Sequence, residues 1–358
     1  MFGRRAVLLA VSLIAGWLTA AALMAAEPAA SGLPSDFYWT SSPPLLTARE
    51  QDGWPWHAIK DPSVVSHEGE QHLFATVRGS NRSHAILYTH FKDWDNAEQA
   101  PRRILPLHAG YFCAPQVFFF EPQKKWYFIC QASQESWGQP AYRAAYSTTD
   151  DITVPESWSP LQPLFEPESA ETKIGLDFWV ICDDTRAHLF STTNNGEMWR
   201  RETALKDFPT GWSAPTLALK DDIFEASHTY KLKGRDEYLT IIEAQFGHGW
   251  RYYKAYTADR LDGEWKPLAA TKDHAFASMR NVTQPDGHWT DNISHGELLR
   301  DSADQTLTID AEHFPAMVYQ GVLEKDQKGK KYGEIPWRLG LLYPAWGKGG
   351  TAEPEARR

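Results

Sequence analysis

Three acidic residues of the sequence each interrupt an apolar or aromatic stretch. Asp61 lies in the segment KDPSV, Asp177 in LDFWV and Glu225 in IFEAS. A carboxylate among apolar neighbours is costly to bury unless it is paired or used in chemistry. Carboxylates whose pKa values are driven apart are what glycoside hydrolysis needs, since one protonates the leaving oxygen while another activates water. The alternative is that each acid ends a turn or strand and accepts backbone hydrogen bonds.

These acids belong to a repeat of strand, turn and strand. Short apolar runs separated by turn residues are typical of an all-β fold. The repeat units begin near Asp61, Pro115, Asp177, Glu225 and His295, which are 48 to 70 residues apart. Five such units predict a five-bladed β-propeller, with a two-sheet sandwich as the alternative. In a propeller the opening residues of all five units would converge on one funnel, which favours a shared catalytic role for the acids.

Tryptophan is the second conspicuous feature, because 16 of the 358 residues are Trp. Sugar rings stack their C–H faces on aromatic rings, although most tryptophans fill protein cores. We expect the segment Trp54-Pro55-Trp56, just before Asp61, to form an exposed platform. The other candidates for sugar stacking are Trp126, Trp179, Trp250, Trp289 and Trp337.

Several classes of protein are excluded by composition and by missing motifs. The formal charge of −10 argues against a nucleic-acid partner, because an acidic surface repels phosphates. Cys113, Cys130 and Cys182 allow at most one disulfide, and their spacing does not match a zinc site. No phosphate-binding glycine loop and no nucleophile elbow occurs in the sequence. His295 opens the fifth unit and is a candidate metal or pocket residue, with a structural histidine as the alternative.

The N-terminal segment predicts export from the cytoplasm. Arg4 and Arg5 precede an apolar run over residues 6–24 and small residues at Ala25 and Ala26. This pattern indicates a signal peptide over residues 1–26, with an uncleaved membrane anchor as the alternative. We expect a short linker at 27–36, the catalytic propeller at 37–345 and a flexible tail at 346–358. The fifth, least regular unit is expected to run from Ile293 into Leu307-Thr308-Ile309.

From Phe37 to Tyr343 the sequence resembles the α-L-arabinofuranosidases of glycoside hydrolase family 62. Each matching segment is weak alone, but together, in the correct order, they are specific. The segments include Lys60-Asp61-Pro62-Ser63, Phe91-Lys92-Asp93-Trp94, Ala114-Pro115-Gln116-Val117-Phe118, Asp177-Phe178-Trp179-Val180-Ile181-Cys182-Asp183, Leu205-Lys206-Asp207-Phe208-Pro209, Phe224-Glu225-Ala226-Ser227, Ile293-Ser294-His295-Gly296-Glu297 and Asp304-Gln305-Thr306-Leu307-Thr308-Ile309.

The resemblance implies a secreted, exo-acting propeller enzyme that removes arabinofuranosyl branches from arabinoxylan or arabino-oligosaccharides with inversion. By the same resemblance, Asp61 would be the general base, Glu225 the general acid and Asp177 the acid that tunes Glu225. His295 would help to hold a structural calcium ion. We expect a monomer without a protein partner. The residues assigned to substrate binding are Lys60, Gln116, Trp179 and Trp337.

The chain departs from the family pattern at a few positions. Ala187 stands where a second cysteine near Cys182 is usual, and Trp337 stands where a tyrosine of the outer cleft is common. The second change puts polymer preference in doubt more than the chemistry. The alternatives are a related propeller glycosidase, such as a β-xylosidase or an arabinanase, a sugar-binding propeller without catalysis, and an adhesive surface protein.

Overall fold

Strands form nearly all of the regular structure in the computed structural model. It describes residues 32–346, apart from residues 52, 81, 139–141, 167–174 and 248. The predicted leader at 1–26, most of the linker and the tail beyond residue 346 lie outside the described residues. In the part of the chain that is described, no helix is long and apolar enough to span a membrane. The three cysteines are buried and unpaired.

The strands form five mainly antiparallel blades, which confirms the predicted propeller over the sandwich. Blade 1 contains Trp56–His67, Glu70–Gly79, Ala85–Phe91 and Arg102–Ile104. Blade 2 contains Phe112–Phe120, Lys125–Ala132, Arg143–Thr149 and Gln162–Pro163. Blade 3 contains Leu176–Cys182, Arg186–Thr193, Glu197–Ala204 and Thr216–Lys220.

Blades 4 and 5 each include a strand from a distant part of the chain. Blade 4 contains Glu225–Leu232, Tyr238–Phe246, Trp250–Ala258 and Lys266–Ala269, joined by Thr308–Ile309. Blade 5 contains Ser294–Leu298, Met317–Gly321, Arg338–Pro344, Trp39–Ser41 and Val282–Thr283. The helices are single turns, at Trp94–Asn96, Glu121–Gln123, Glu135–Trp137, Pro155–Ser157, Glu324–Gln327 and Tyr332–Glu334.

The expected course of the fifth unit was wrong. Thr308–Ile309 does not belong to the fifth unit; it pairs in parallel with Lys231 and Leu232 of blade 4. The segment Trp39–Ser41 is a strand of blade 5 that pairs with Arg338–Pro344, within the range expected for the propeller. Both segments are too short to show a strand pattern, and their pairing depends on partners far away in sequence.

The hairpins follow from local sequence. In blade 1 the turn residues Glu68 and Gly69 have φ of 50° and 79°, as in the tight turns that suit the twist of β-hairpins. The flanking strands are rich in β-branched and aromatic residues, which favour extended backbone. Each first strand contacts the first strands of its two neighbours, so the five first strands form a closed ring around one axis.

All five first strands carry a β-bulge at the same level. The register shifts between Lys60 and Ser63 in blade 1, and equivalent shifts occur in the other four blades. At four of these bulges a residue other than glycine has positive φ: Asp61 at 49°, Ala114 at 51°, Asp177 at 53° and Ala226 at 53°. A bulge redirects side chains, and strained backbone of this kind clusters at functional sites. The bulges therefore place these four residues with positive φ in one ring around the axis.

Candidate active site

Asp61 lies at the bulge of blade 1, where its carboxylate is 3 % exposed. Its Oδ1 is 3.1 Å from Lys60 Nζ and 3.3 Å from His295 Nδ1, and its backbone N–H donates to Gln320 Oε1 at 2.8 Å. Burial opposes ionisation of Asp61, but the charge of Lys60, the nearby His295 ring and hydrogen bonds from Thr76 and Lys60 together lower its pKa. Asp61 is therefore held as a carboxylate, the form that a general base requires.

Asp177 occupies the equivalent bulge of blade 3 and is also buried. Its Oδ2 accepts a hydrogen bond of 3.0 Å from the backbone N–H of Ala226 and lies 4.0 Å from His295 Nδ1. Burial, followed by the charges of Glu225 and Asp61, raises the pKa of Asp177 well above its ordinary value. The pKa values of these two neighbouring aspartates thus shift in opposite directions, because the Lys60 ammonium directly contacts Asp61.

Glu225 opens the first strand of blade 4, and its side chain is the most accessible of the three acids at 15 %. Its Oε1 lies 2.9 Å from the Arg251 guanidinium, and Asn194 Nδ2 donates to Oε2 at 3.4 Å. Asp177 binds the residue next to Glu225 through the N–H of Ala226. The structure thus brings Asp61, Asp177 and Glu225, from three different blades, into one cluster, as the repeat predicts.

His295 lies at the bulge of blade 5, with Nδ1 facing the carboxylates of Asp61 and Asp177. Its ring also lies edge-on to the ring of His228. Calcium prefers six to eight oxygen ligands. Among the described residues, no group of three or more His, Cys, Asp or Glu side chains is arranged to hold a metal ion. A calcium ion at His295 would therefore need water molecules for most of its ligands.

The structure separates the two polar residues that were assigned to substrate binding. Lys60 is in the site, where its ammonium contacts Asp61 and donates to the Tyr332 hydroxyl at 3.0 Å. Gln116 is fully buried, and its side-chain amide exchanges two hydrogen bonds of 2.7 Å with the backbone of Val180. The Gln116 amide therefore joins blade 2 to blade 3, and no contact in the structure supports its assignment to substrate binding.

The tryptophans assigned to substrate binding are also buried. Trp179 is 1 % exposed, stacks on the ring of His228 and donates to the carbonyl of Thr229. Trp337 is 2 % exposed and packs in a small apolar cluster. Neither indole presents an open face, so their assignment as stacking platforms is not supported. In the expected platform before Asp61, Trp54 is 37 % exposed, whereas Trp56 is 5 % exposed.

The sequence patterns described above did not identify two charged residues of the site. Arg251, on the third strand of blade 4, contacts both Glu225 and Glu243. Glu243, on the second strand of that blade, is fully buried. Both residues interrupt apolar or aromatic runs, in WRYY and IIEA, as the three recognised acids do. That signal could have found them, but neither stands at the opening of a repeat unit.

This arrangement of carboxylates in the funnel of a five-bladed propeller defines a candidate glycoside hydrolase. A sequence model of glycosyl hydrolase family 62 matches residues 38–343, and the chain belongs to that family. Alpha-L-arabinofuranosidase C of Cellvibrio japonicus (strain Ueda107) is 37 % identical over 318 residues, which cover 87 % of this chain. The match spans only 47 % of that relative's length.

Solved structures of family 62 have the same fold. The catalytic domain of the Coprinopsis cinerea α-L-arabinofuranosidase is 37 % identical, with a TM-score of 0.80 over 87 % of this chain and 98 % of that one. An α-L-arabinofuranosidase of Podospora anserina, solved with cellotriose, is 36 % identical, with a TM-score of 0.79 over 88 % and 98 % of the two chains. The resemblance to family 62 read from the sequence is confirmed.

Proposed function

We propose that the protein is an inverting, exo-acting α-L-arabinofuranosidase that removes arabinofuranosyl branches from arabinoxylan. The observation that carries the proposal is the cluster in which Asp61, paired with Lys60, lies with Asp177 and the more accessible Glu225 at the bulges of three blades. Inverting glycoside hydrolysis needs one carboxyl group as base and another as acid, and Asp61 and Glu225 supply them in this proposal. The identity to the two fungal arabinofuranosidases, over almost the whole of their solved chains, supports the choice of sugar.

In this mechanism Asp61 accepts a proton from the water that attacks the anomeric carbon. Glu225 donates its proton to the glycosidic oxygen as the bond between that oxygen and the sugar breaks. Its greater accessibility suits this role, because the leaving xylose unit must reach it from outside. The two carboxyl groups of an inverting pair stand about 6.5–9.5 Å apart, with water between the base and the sugar. Asp177 keeps the start of the blade 4 strand in place through the N–H of Ala226.

The variant Glu225→Gln tests the proposal because it keeps the size of the side chain and removes the transferable proton. Arabinose release from wheat arabinoxylan should fall by about 10²–10⁴-fold, the usual contribution of general acid catalysis, with an unchanged melting temperature. Glu156→Gln, which alters an exposed glutamate of blade 2, should keep full activity. Wild-type enzyme that releases no arabinose would contradict the proposed sugar.

The stereochemistry of the product tests inversion. Proton NMR should show the β-anomer of arabinose first, and an initial α-anomer would contradict inversion.

We also propose that the protein acts outside the cytoplasm, on the basis of the charged and apolar pattern of residues 1–26. Expression of the full chain should give a mature protein whose N-terminal sequence begins near residue 27. A protein that stays in the cytoplasm would contradict this proposal.

A calcium ion bound through His295 and water remains a separate proposal, supported by the family resemblance. Treatment with a chelator should then lower the melting temperature, and added calcium should restore it. An unchanged melting temperature and activity would remove the metal from the account.

A further inference from the structure

Glu243 is a buried carboxylate that the proposed mechanism leaves unused. It is fully buried and lies directly opposite Glu225 in the pairing of the first two strands of blade 4. Like charges opposite one another destabilise a sheet unless a cation lies between them. Arg251 supplies that cation, since its guanidinium contacts both Glu225 and Glu243. The arginine is itself held against the ring of Phe224.

The second oxygen of Glu243 points to blade 5. Its Oε2 accepts hydrogen bonds from the backbone N–H of His295 at 2.6 Å and from the hydroxyl of Ser294 at 2.9 Å. Nδ1 of the same histidine lies 3.3 Å from Asp61 Oδ1. Contacts therefore run without a break from Glu225 through Arg251, Glu243 and His295 to Asp61. This chain of contacts joins the proposed acid to the proposed base.

We propose that Glu243 is a positioning residue that fixes Arg251 against Glu225 and His295 against Asp61, and so sets the relative placement of the acid and the base. The inference rests on the proposed function, because it assigns those two roles. Its physical basis is the pattern of donors. Among the described residues, the three groups that bond to the carboxylate of Glu243 all donate, so both of its oxygens accept.

The variant Glu243→Gln is the direct test, because an amide has one accepting oxygen and one donating nitrogen. Whichever way the amide turns, either Arg251 or the N–H of His295 loses its acceptor. A misplacement of about 1 Å in an active site can cost on the order of 10²-fold. We expect kcat on arabinoxylan to fall by that order while KM stays near the wild-type value, because Glu243 itself is too buried to contact the sugar.

Glu98 provides a matched control on the outer side of blade 1. Its carboxylate also holds an arginine, Arg102, together with the backbone N–H and the hydroxyl of Thr47. Glu98→Gln removes an equivalent set of contacts away from the catalytic cluster. It is expected to leave kcat per folded molecule unchanged.

Two substrates separate this inference from the proposed function. On 4-nitrophenyl α-L-arabinofuranoside, whose leaving group needs little protonation, the loss in Glu243→Gln should be smaller than on arabinoxylan. Wild-type enzyme inactive on both substrates would overturn the function and the inference with it. An active wild type, together with Glu243→Gln that keeps its kcat per folded molecule on both substrates, would overturn the role of Glu243 alone.

Discussion

The charge on Asp61 depends on one close cation. Lys60 Nζ lies 3.1 Å from the carboxylate, and with His295 it lowers the pKa of Asp61 against the effect of burial. A base with a lowered pKa stays ionised as the pH falls, and its activity is lost only below the ordinary value of 3.8. The acidic limb of the pH profile of kcat/KM should therefore lie at unusually low pH.

The variant Lys60→Met tests this dependence. Without the ammonium, burial dominates and the pKa of Asp61 rises, so the acidic limb should move to higher pH in addition to any loss of rate. The measurement is kcat/KM between pH 3 and pH 8. Lys233→Met, which removes an exposed lysine paired with Asp301, should leave the limb in place. An acidic limb that stays in place in Lys60→Met would show that another group controls Asp61.

At the scale of single residues, the sequence could identify acids but not their partners. Asp61, Asp177 and Glu225 were predictable because each breaks an apolar run at the opening of a repeat unit. Arg251 and Glu243 also break apolar runs, but they lie on the third and second strands of blade 4, and only the pairing of those strands brings them beside Glu225. Gln116 lies next to Pro115, where the second repeat unit begins. Its amide nevertheless binds a neighbouring blade, a contact that no local sequence pattern reveals.

At the scale of strands, the bulges decide where the catalytic side chains point. Each first strand shifts register at the same level, and Asp61 and Asp177 adopt positive φ there. Aspartate and asparagine tolerate this conformation better than most residues. Asp61→Asn is therefore a better inactive variant than Asp61→Ala for separating chemistry from folding. The alternating pattern predicted these strands, but a bulge leaves almost no trace in such a pattern.

Gly296 tests how tightly the strand of His295 is packed. A methyl group at this position would lie 2.5 Å from the carbonyl oxygen of Val318, so the strand Ser294–Leu298 must move to admit it. The N–H of Gly296 donates to the Tyr253 hydroxyl and its carbonyl accepts from His228, which ties the movement to the site. Gly296→Ala should cost about 1–3 kcal/mol in the free energy of unfolding, measured with urea, and should also lower kcat. Unchanged stability would mean that the strand adapts without strain.

At the scale of the whole molecule, the ring is closed by strands from both ends of the described chain. Trp39–Ser41 pairs with Arg338–Pro344, so blade 5 cannot form until residues 301 to 305 positions apart meet. The five-fold repeat predicted the number of blades, but it could not show this closure, because the closing strand has only three residues. Because this pairing joins distant parts of the chain, we expect blade 5 to close only in the complete domain.

Trp39 anchors the closing strand and carries the prediction at this scale. It is 1 % exposed, donates to the carbonyl of Phe276 at 2.7 Å and packs edge-on against Phe276 and Trp346. Trp39→Ala should lower the free energy of unfolding by about 3–5 kcal/mol, with kcat unchanged for the molecules that remain folded. Tyr38→Ala is the matched control, since its side chain is 41 % exposed and its backbone bond to Ala345 survives the change. Equal stability of the two variants would contradict closure through Trp39, because an exposed substitution usually costs no more than about 0.5 kcal/mol.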